Sequence, residues 1–293
     1  MEYKSPLELL LHWEREMPDQ VYLHQPINNV WHTWTWKETT AEARKMAAAI
    51  TAMKFPPGSN IGLVSKNCAH WIICDLAIMM SGHISVPLYP NLTADSMKQI
   101  LIHSDALLLF VGKLDNWQSM KDGVPAGLKC ISFPFCNHEN YETWNNIMNS
   151  FEPLNDLIIR GKEEIATILY TSGTTGISKG VVHVFNNLSY TTLNAIPYLG
   201  FDSKTRFFSY LPLSHSAERS LVEMCSIYTG GEVFFSESIE KFAVNLCEAK
   251  PTVFLGVPQI WKKIQQRITA RISQKQLDVL LKIPFISELI RRK

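Results

Sequence analysis

Between Tyr170 and Gly180 the chain reads Tyr-Thr-Ser-Gly-Thr-Thr-Gly-Ile-Ser-Lys-Gly. The hydroxyls of Thr171, Ser172, Thr174 and Thr175 alternate with Gly173, Gly176 and Gly180, and Lys179 adds a mobile positive charge. Glycines let backbone N–H groups come close to a ligand, hydroxyls donate, and an ammonium is a compact point charge. Together these groups suit phosphate oxygens. A loop of Gly, Ser and Thr is by itself ordinary solvated turn composition, so order and setting must decide. The Walker arrangement is excluded, because it needs its lysine to be followed by Ser or Thr and a helix, whereas Lys179 is followed by Gly180 and an apolar, β-branched run. A second candidate is His215, in Leu211-Pro-Leu-Ser-His-Ser-Ala-Glu-Arg219. It falls just past a predicted strand, and binding crevices of α/β sheets form at carboxyl strand ends. Taken alone, a histidine there is more often structural than functional.

The elements that must hold these residues follow from periodicity. Residues 165–170 and 181–185 are short, β-branched and aromatic, so the loop joins strand to strand. Ser5 with Pro6 starts a helix over 5–16, and 31–36 alternates as a strand before a helix over 37–53. Strands at 60–65, 85–88 and 106–111 alternate with helices at 68–81 and 94–103, which describes β-α-β units and a parallel sheet. The least regular stretch is 115–152. Its His138, Glu139 and Glu142 carry no second histidine at ligand spacing, and a metal site is not expected there. Farther on, Asn186 or Asn187 caps a helix through 195, and 206–211, 233–235 and 252–256 are strands. Helices are expected at 221–228, 239–249, 258–276 and 284–293, with a turn at 229–231. The fold class expected is α/β, a layered αβαβα arrangement with two mostly parallel sheets.

Order identifies what composition does not. Tyr-Thr-Ser-Gly-Thr-Thr-Gly-x-x-Lys-Gly resembles the signature loop of the acyl-adenylate-forming (AMP-binding) superfamily, with Ser178 where that family usually has proline. The change removes a fixed φ but no phosphate donor. Leu-Pro-Leu-x-His-x-x-Glu-Arg resembles the second core motif of the long-chain fatty-acid–CoA ligases. Lys66-Asn-Cys-Ala-His-Trp, Val86-Pro-Leu-Tyr-Pro and His103-Ser-Asp-Ala follow the same branch in the same order, and Gly256-Val-Pro with Trp261 resembles the wall of its acyl and nucleotide pocket. The resemblance implies a partial adenylation domain over 1–293, with subregions of about 1–160 and 161–293. It implies ATP, Mg²⁺ and coenzyme A as cofactors and a long-chain fatty acid as substrate. Thr171, Ser172, Gly173, Thr174, Thr175, Gly176 and Lys179 would hold nucleotide phosphate, with Thr175 toward the metal. Lys179 and His215 would be catalytic, His215 beside the acyl carboxylate, with Phe254 and Trp261 along an apolar tunnel. The family's Tyr-Gly-x-Thr-Glu segment, ribose aspartate and C-terminal lid domain are not found after Gly180. The expectation is therefore the front part of an enzyme, incomplete alone and apt to associate with itself or with the remaining portion. A non-catalytic binding fragment and an acyl-AMP ligase loading a carrier protein stay open.

Composition narrows the remaining classes. The 293 residues carry 28 Lys+Arg against 27 Asp+Glu, a net +1 with no basic block beyond the final Arg-Arg-Lys, so no nucleic-acid partner is indicated. Six cysteines show neither Cys-x-x-Cys nor Cys/His ligand spacing and are expected to be reduced, mostly core thiols. No signal-peptide pattern or membrane-span run is read. The expected compartment is the cytosol, with peripheral contact to a membrane left open.

Overall fold

A computed structural model describes residues 3–136, 141–155, 157–172, 178–270 and 272–282. The chain divides into two compact units, Met1–Val253 and Phe254–Lys293. The first holds eleven strands among the described residues: β1 Val21–Ile27, β2 Val30–Thr35, β3 Asn60–Val64, β4 Ile84–Leu88, β5 Leu108–Val111, β6 Lys129–Ser132, β7 Glu142–Thr143, β8 Ile165–Ser172, β9 Ser178–Val184, β10 Arg206–Ser209 and β11 Glu232–Phe235. They form a seven-stranded sheet ordered β7-β6-β5-β3-β4-β8-β9 and a four-stranded sheet ordered β10-β11-β1-β2. All pairings are parallel except β8 with β9 and β1 with β2.

Strand alternation sets the layers. In the seven-stranded sheet Leu63, Leu108, Phe110 and Ile131 point into the larger core, while their neighbours Val64, Leu109, Val111 and Cys130 point into a second core under the Ala94–His103 helix. The larger core also takes Tyr22, Leu23, Phe207, Val233 and Phe235 from the four-stranded sheet. Between the sheets lies the Ala69–Met80 helix, buried at every position. Outside the four-stranded sheet, the Phe242–Ala249 helix sets Phe242 edge-on to Phe208, 5.6 Å between ring centres. Helix, sheet, helix, sheet, helix is the αβαβα arrangement expected.

Local signals operate as the sequence predicts in several places. Ser5 and Glu8 exchange side chain and backbone bonds at the start of the Pro6–Glu16 helix, and Thr35 with Glu38 repeats the device before Trp36–Ala52. Other expectations need correction. Asn187 is not a cap: it sits at the third position of the Phe185–Leu199 helix and its Oδ1 accepts the Val184 N–H at 3.0 Å. The strand at 206–211 stops at Ser209, because the Tyr210 amide donates to Glu218 instead of a ladder. Residues 252–256 supply only a bridge from Val253 to Phe207, since the Thr252 hydroxyl accepts the Arg206 N–H that a ladder carbonyl would take. The helix expected over 221–228 is a π-helical turn, Arg219–Met224, followed by Cys225–Thr229.

The second unit holds helices Pro258–Thr269 and Gln274–Lys282, so the one helix expected over 258–276 is broken before Gln274. Within it Trp261 Nε1 donates to the Gly256 carbonyl at 2.8 Å and its ring meets Phe254 edge-on. The helix expected over 284–293 lies outside the described residues, as do His138 and Glu139. Among the described residues no helix is long and apolar enough to cross a membrane.

Candidate active site

The β8–β9 hairpin brings the first group of predicted residues together. Thr171 stands opposite Lys179 and Ser172 opposite Ser178 at the open end of an antiparallel ladder. Thr171 and Lys179 are exposed. Gly173, Thr174, Thr175 and Gly176 lie outside the described residues. Gly180 faces Tyr170 across the ladder, and a Cβ there would come within 2.9 Å of Ile168 Cγ2 and 3.2 Å of the Tyr170 ring. The hydroxyl of Tyr170 is 2.7 Å from His103 Nδ1, which ties the base of the hairpin to the end of the Ala94–His103 helix.

His215 lies past β10, the residue before a short helical turn, Ser216–Glu218. Its ring is exposed, and Nδ1 accepts the Ala217 N–H at 3.1 Å. An imidazole whose Nδ1 accepts carries its proton on Nε2, so the outward-facing nitrogen is a donor suited to a carboxylate oxygen. Among the described residues no hydrogen bond or ion pair joins His215 directly to Thr171 or Lys179.

The connection runs through groups that sequence reasoning gave no chemical role. Arg219 is wholly buried; it donates from Nη1 to Thr167 Oγ1 on β8 at 2.9 Å and from Nη2 to Asp75 Oδ2 at 2.5 Å. Glu223 Oε2 lies 3.5 Å from Arg219 Nε, also fully buried. Burial, and then the nearby Asp75 charge, push the Glu223 carboxyl well above its usual range. One guanidinium thus faces two buried carboxyl groups, of which Glu223 is pushed toward its protonated form. Burial, joined by the Arg219 charge, holds His183 on β9 below the usual histidine range.

Glu218 caps the turn from beneath. Its Oε1 accepts from Ser209 Oγ at 2.9 Å and from the Tyr210 N–H at 3.0 Å. Burial pushes it up to about 8 in spite of those bonds, leaving a carboxyl that keeps its proton near neutrality. Asn67, after β3, crosses from the other sheet to bond Ser209, Leu211 and Leu213. Two signals were available. Asp75 is a lone acid in an otherwise apolar helix, which demands a buried partner, and Asn67 is an amide at the carboxyl end of a parallel strand.

The family model for AMP-binding enzymes matches residues 10–286. The chain belongs to the AMP-binding enzyme family. It is similar to long chain acyl-CoA synthetase 2 of Arabidopsis thaliana, 32% identical over 84% of this chain and 40% of that protein. It is also similar to the long-chain-fatty-acid–CoA ligase ACSBG2 of Xenopus laevis, 26% identical over 86% of this chain and 37% of the relative. The chain thus spans about two fifths of the length of the curated relatives it matches. Solved structures agree on the fold: a benzoate CoA ligase from Burkholderia xenovorans, TM-score 0.77, 21% identical, covering 88% of this chain and 51% of that one. The o-succinylbenzoate CoA synthetase of Bacillus subtilis in complex with its acyl-adenylate, TM-score 0.74 and 19% identical, covers 91% of this chain and 51% of that one.

Proposed function

We propose that this chain carries the phosphate-binding and carboxylate-binding parts of an ATP-dependent ligase that activates long-chain fatty acids. A fatty carboxylate oxygen attacks the α-phosphorus of ATP, the bond to the β,γ-diphosphate breaks, and pyrophosphate leaves with the electron pair. The sulfur of coenzyme A then attacks the acyl carbonyl and AMP departs. The chain's own part is electrostatic. Lys179, the hydroxyls beside it and the backbone amides of the loop offset charge gathering on phosphate oxygens, and the His215 Nε2–H orients the carboxylate. Among the described residues no three His, Cys, Asp or Glu side chains cluster tightly enough to hold a metal ion. Mg²⁺ would add positive charge against the phosphate oxygens, and Thr175 is the residue whose hydroxyl would help hold it. The reading places the protein in the cytosol, at or near a membrane surface that supplies its substrate.

The observation that carries this reading is the register of the β8–β9 hairpin, which sets Lys179 opposite Thr171 at the mouth of a loop in the family's order. The test is fatty-acid-dependent exchange of labelled pyrophosphate into ATP. Measured on the full-length protein, exchange with palmitate that falls sharply in Lys179→Ala supports the reading; exchange left unchanged in that variant overturns it.

A further inference from the structure

Asn67 follows β3 in the seven-stranded sheet, and the 209–215 turn follows β10 in the four-stranded sheet. The two meet through one side chain. Asn67 Nδ2 donates to the Leu211 carbonyl at 2.5 Å and to Ser209 Oγ at 2.7 Å, while Oδ1 accepts the Leu213 N–H at 3.1 Å. Ser209 Oγ in turn donates a hydrogen bond to Glu218 Oε1. The amide is 8% exposed, so water replaces none of these bonds easily.

The chemistry of the site restricts what can stand there. A donor pair and an acceptor on one short neutral head is the signature of an Asn amide. Aspartate would set a carboxylate against the Leu211 carbonyl and beside Glu218. Serine or alanine would leave the Leu213 N–H and the Leu211 oxygen without partners. Two residues beyond Leu213, the His215 N–H donates to the Pro212 carbonyl at 2.8 Å, and the Ala217 N–H fills Nδ1. Ring direction therefore depends on the path of the 211–213 backbone, and Asn67 is bonded to both ends of that path.

We propose that Asn67 is a positioning residue for His215: by holding the 209–213 backbone it keeps Nδ1 on the Ala217 amide and leaves the Nε2–H facing outward. This rests on the reading of His215 as the partner of the acyl carboxylate. Acid binding, far more than nucleotide binding, should respond to Asn67.

The test uses the full chain with ¹⁵N-labelled histidine, at a pH where the imidazole is neutral, with the His215 signals assigned by their loss in His215→Gln. Wild-type protein should show the pinned Nε2–H tautomer. Folded Asn67→Ala and Asn67→Asp should show the tautomer mixture of a free histidine. In pyrophosphate exchange their KM for fatty acid should rise about tenfold, the scale of losing one or two hydrogen bonds, with the KM for ATP within about twofold. Should Asn67→Ala not fold, Ser209→Ala, which removes only the hydroxyl between Asn67 and Glu218, should shift the same signals part of the way. A folded Asn67→Asp with His215 still pinned overturns the proposal, as does a loss of thermal stability with no change at His215. Pyrophosphate exchange by the full-length protein that is unchanged in Lys179→Ala overturns the proposed function and leaves the tautomer measurement to judge Asn67.

Discussion

Asp75 and Arg219 stand 2.5 Å apart with no accessible surface on either side chain, one on the helix between the sheets and the other four residues past His215. Breaking a buried pair from one side costs more than removing both partners, because a lone charge stays behind. Arg219→Met should destabilise by about 3–5 kcal/mol. Adding Asp75→Asn should restore part of that loss. Urea titration of the two variants checks it; a double variant as unstable as the sum of the singles would count against the pair as the unit of stability.

Lys179→Ala should leave stability nearly unchanged, since the side chain is exposed. Its effect belongs to the reaction. Fatty-acid-dependent pyrophosphate exchange should fall about 100- to 1,000-fold, the range found on removing one preorganised donor, with Lys179→Arg retaining part of the rate.

Glu218 predicts a pH dependence with a definite sign. Its folded pKa, about 8, lies above the ordinary 4.5, so between those values the unfolded chain has released a proton that the folded chain keeps. The contribution is fully present below about pH 4.5 and is lost as pH rises through about 8, amounting to a few kcal/mol over the window. Glu218→Gln should flatten the stability profile between about pH 5 and pH 8, measured as the denaturation midpoint at each pH. An equally steep profile in the variant would assign the slope to other groups.

Chain length of the acid gives a further check. Each methylene buried in an apolar channel adds about 0.8 kcal/mol until the channel is full, so competition should rank palmitate above octanoate and octanoate above acetate. Preference for acetate would contradict the long-chain reading.

Much of the fold was legible because the seven-stranded sheet is built from local units: 60–64, 84–88 and 108–111 are apolar runs bounded by turns, and the second of the two helices between them starts at the cap Thr93. β1 was not legible. Its Val-Tyr-Leu-His-Gln-Pro-Ile breaks alternation with a histidine, a glutamine and a proline, and the Gln25 Oε1 accepts the N–H of the distant Ala69. At the site, the loop and His215 could be read from residue order, whereas Asn67, Asp75 and Glu223 act through partners 142 to 151 residues away or through a buried cluster that no spacing in the chain displays.

The parallel pairing of β1 with β11, which aligns Leu23 with Val233, has a consequence for how the protein is made. On a ribosome adding about 5–20 residues each second, the β1–β2 hairpin waits roughly 10–40 s for its neighbour to be synthesised. During that interval Tyr22 and Leu23, wholly buried in the finished protein, have no partner sheet to cover them. Pausing of translation before codon 232 should therefore raise the aggregation of nascent chains more than pausing after codon 236.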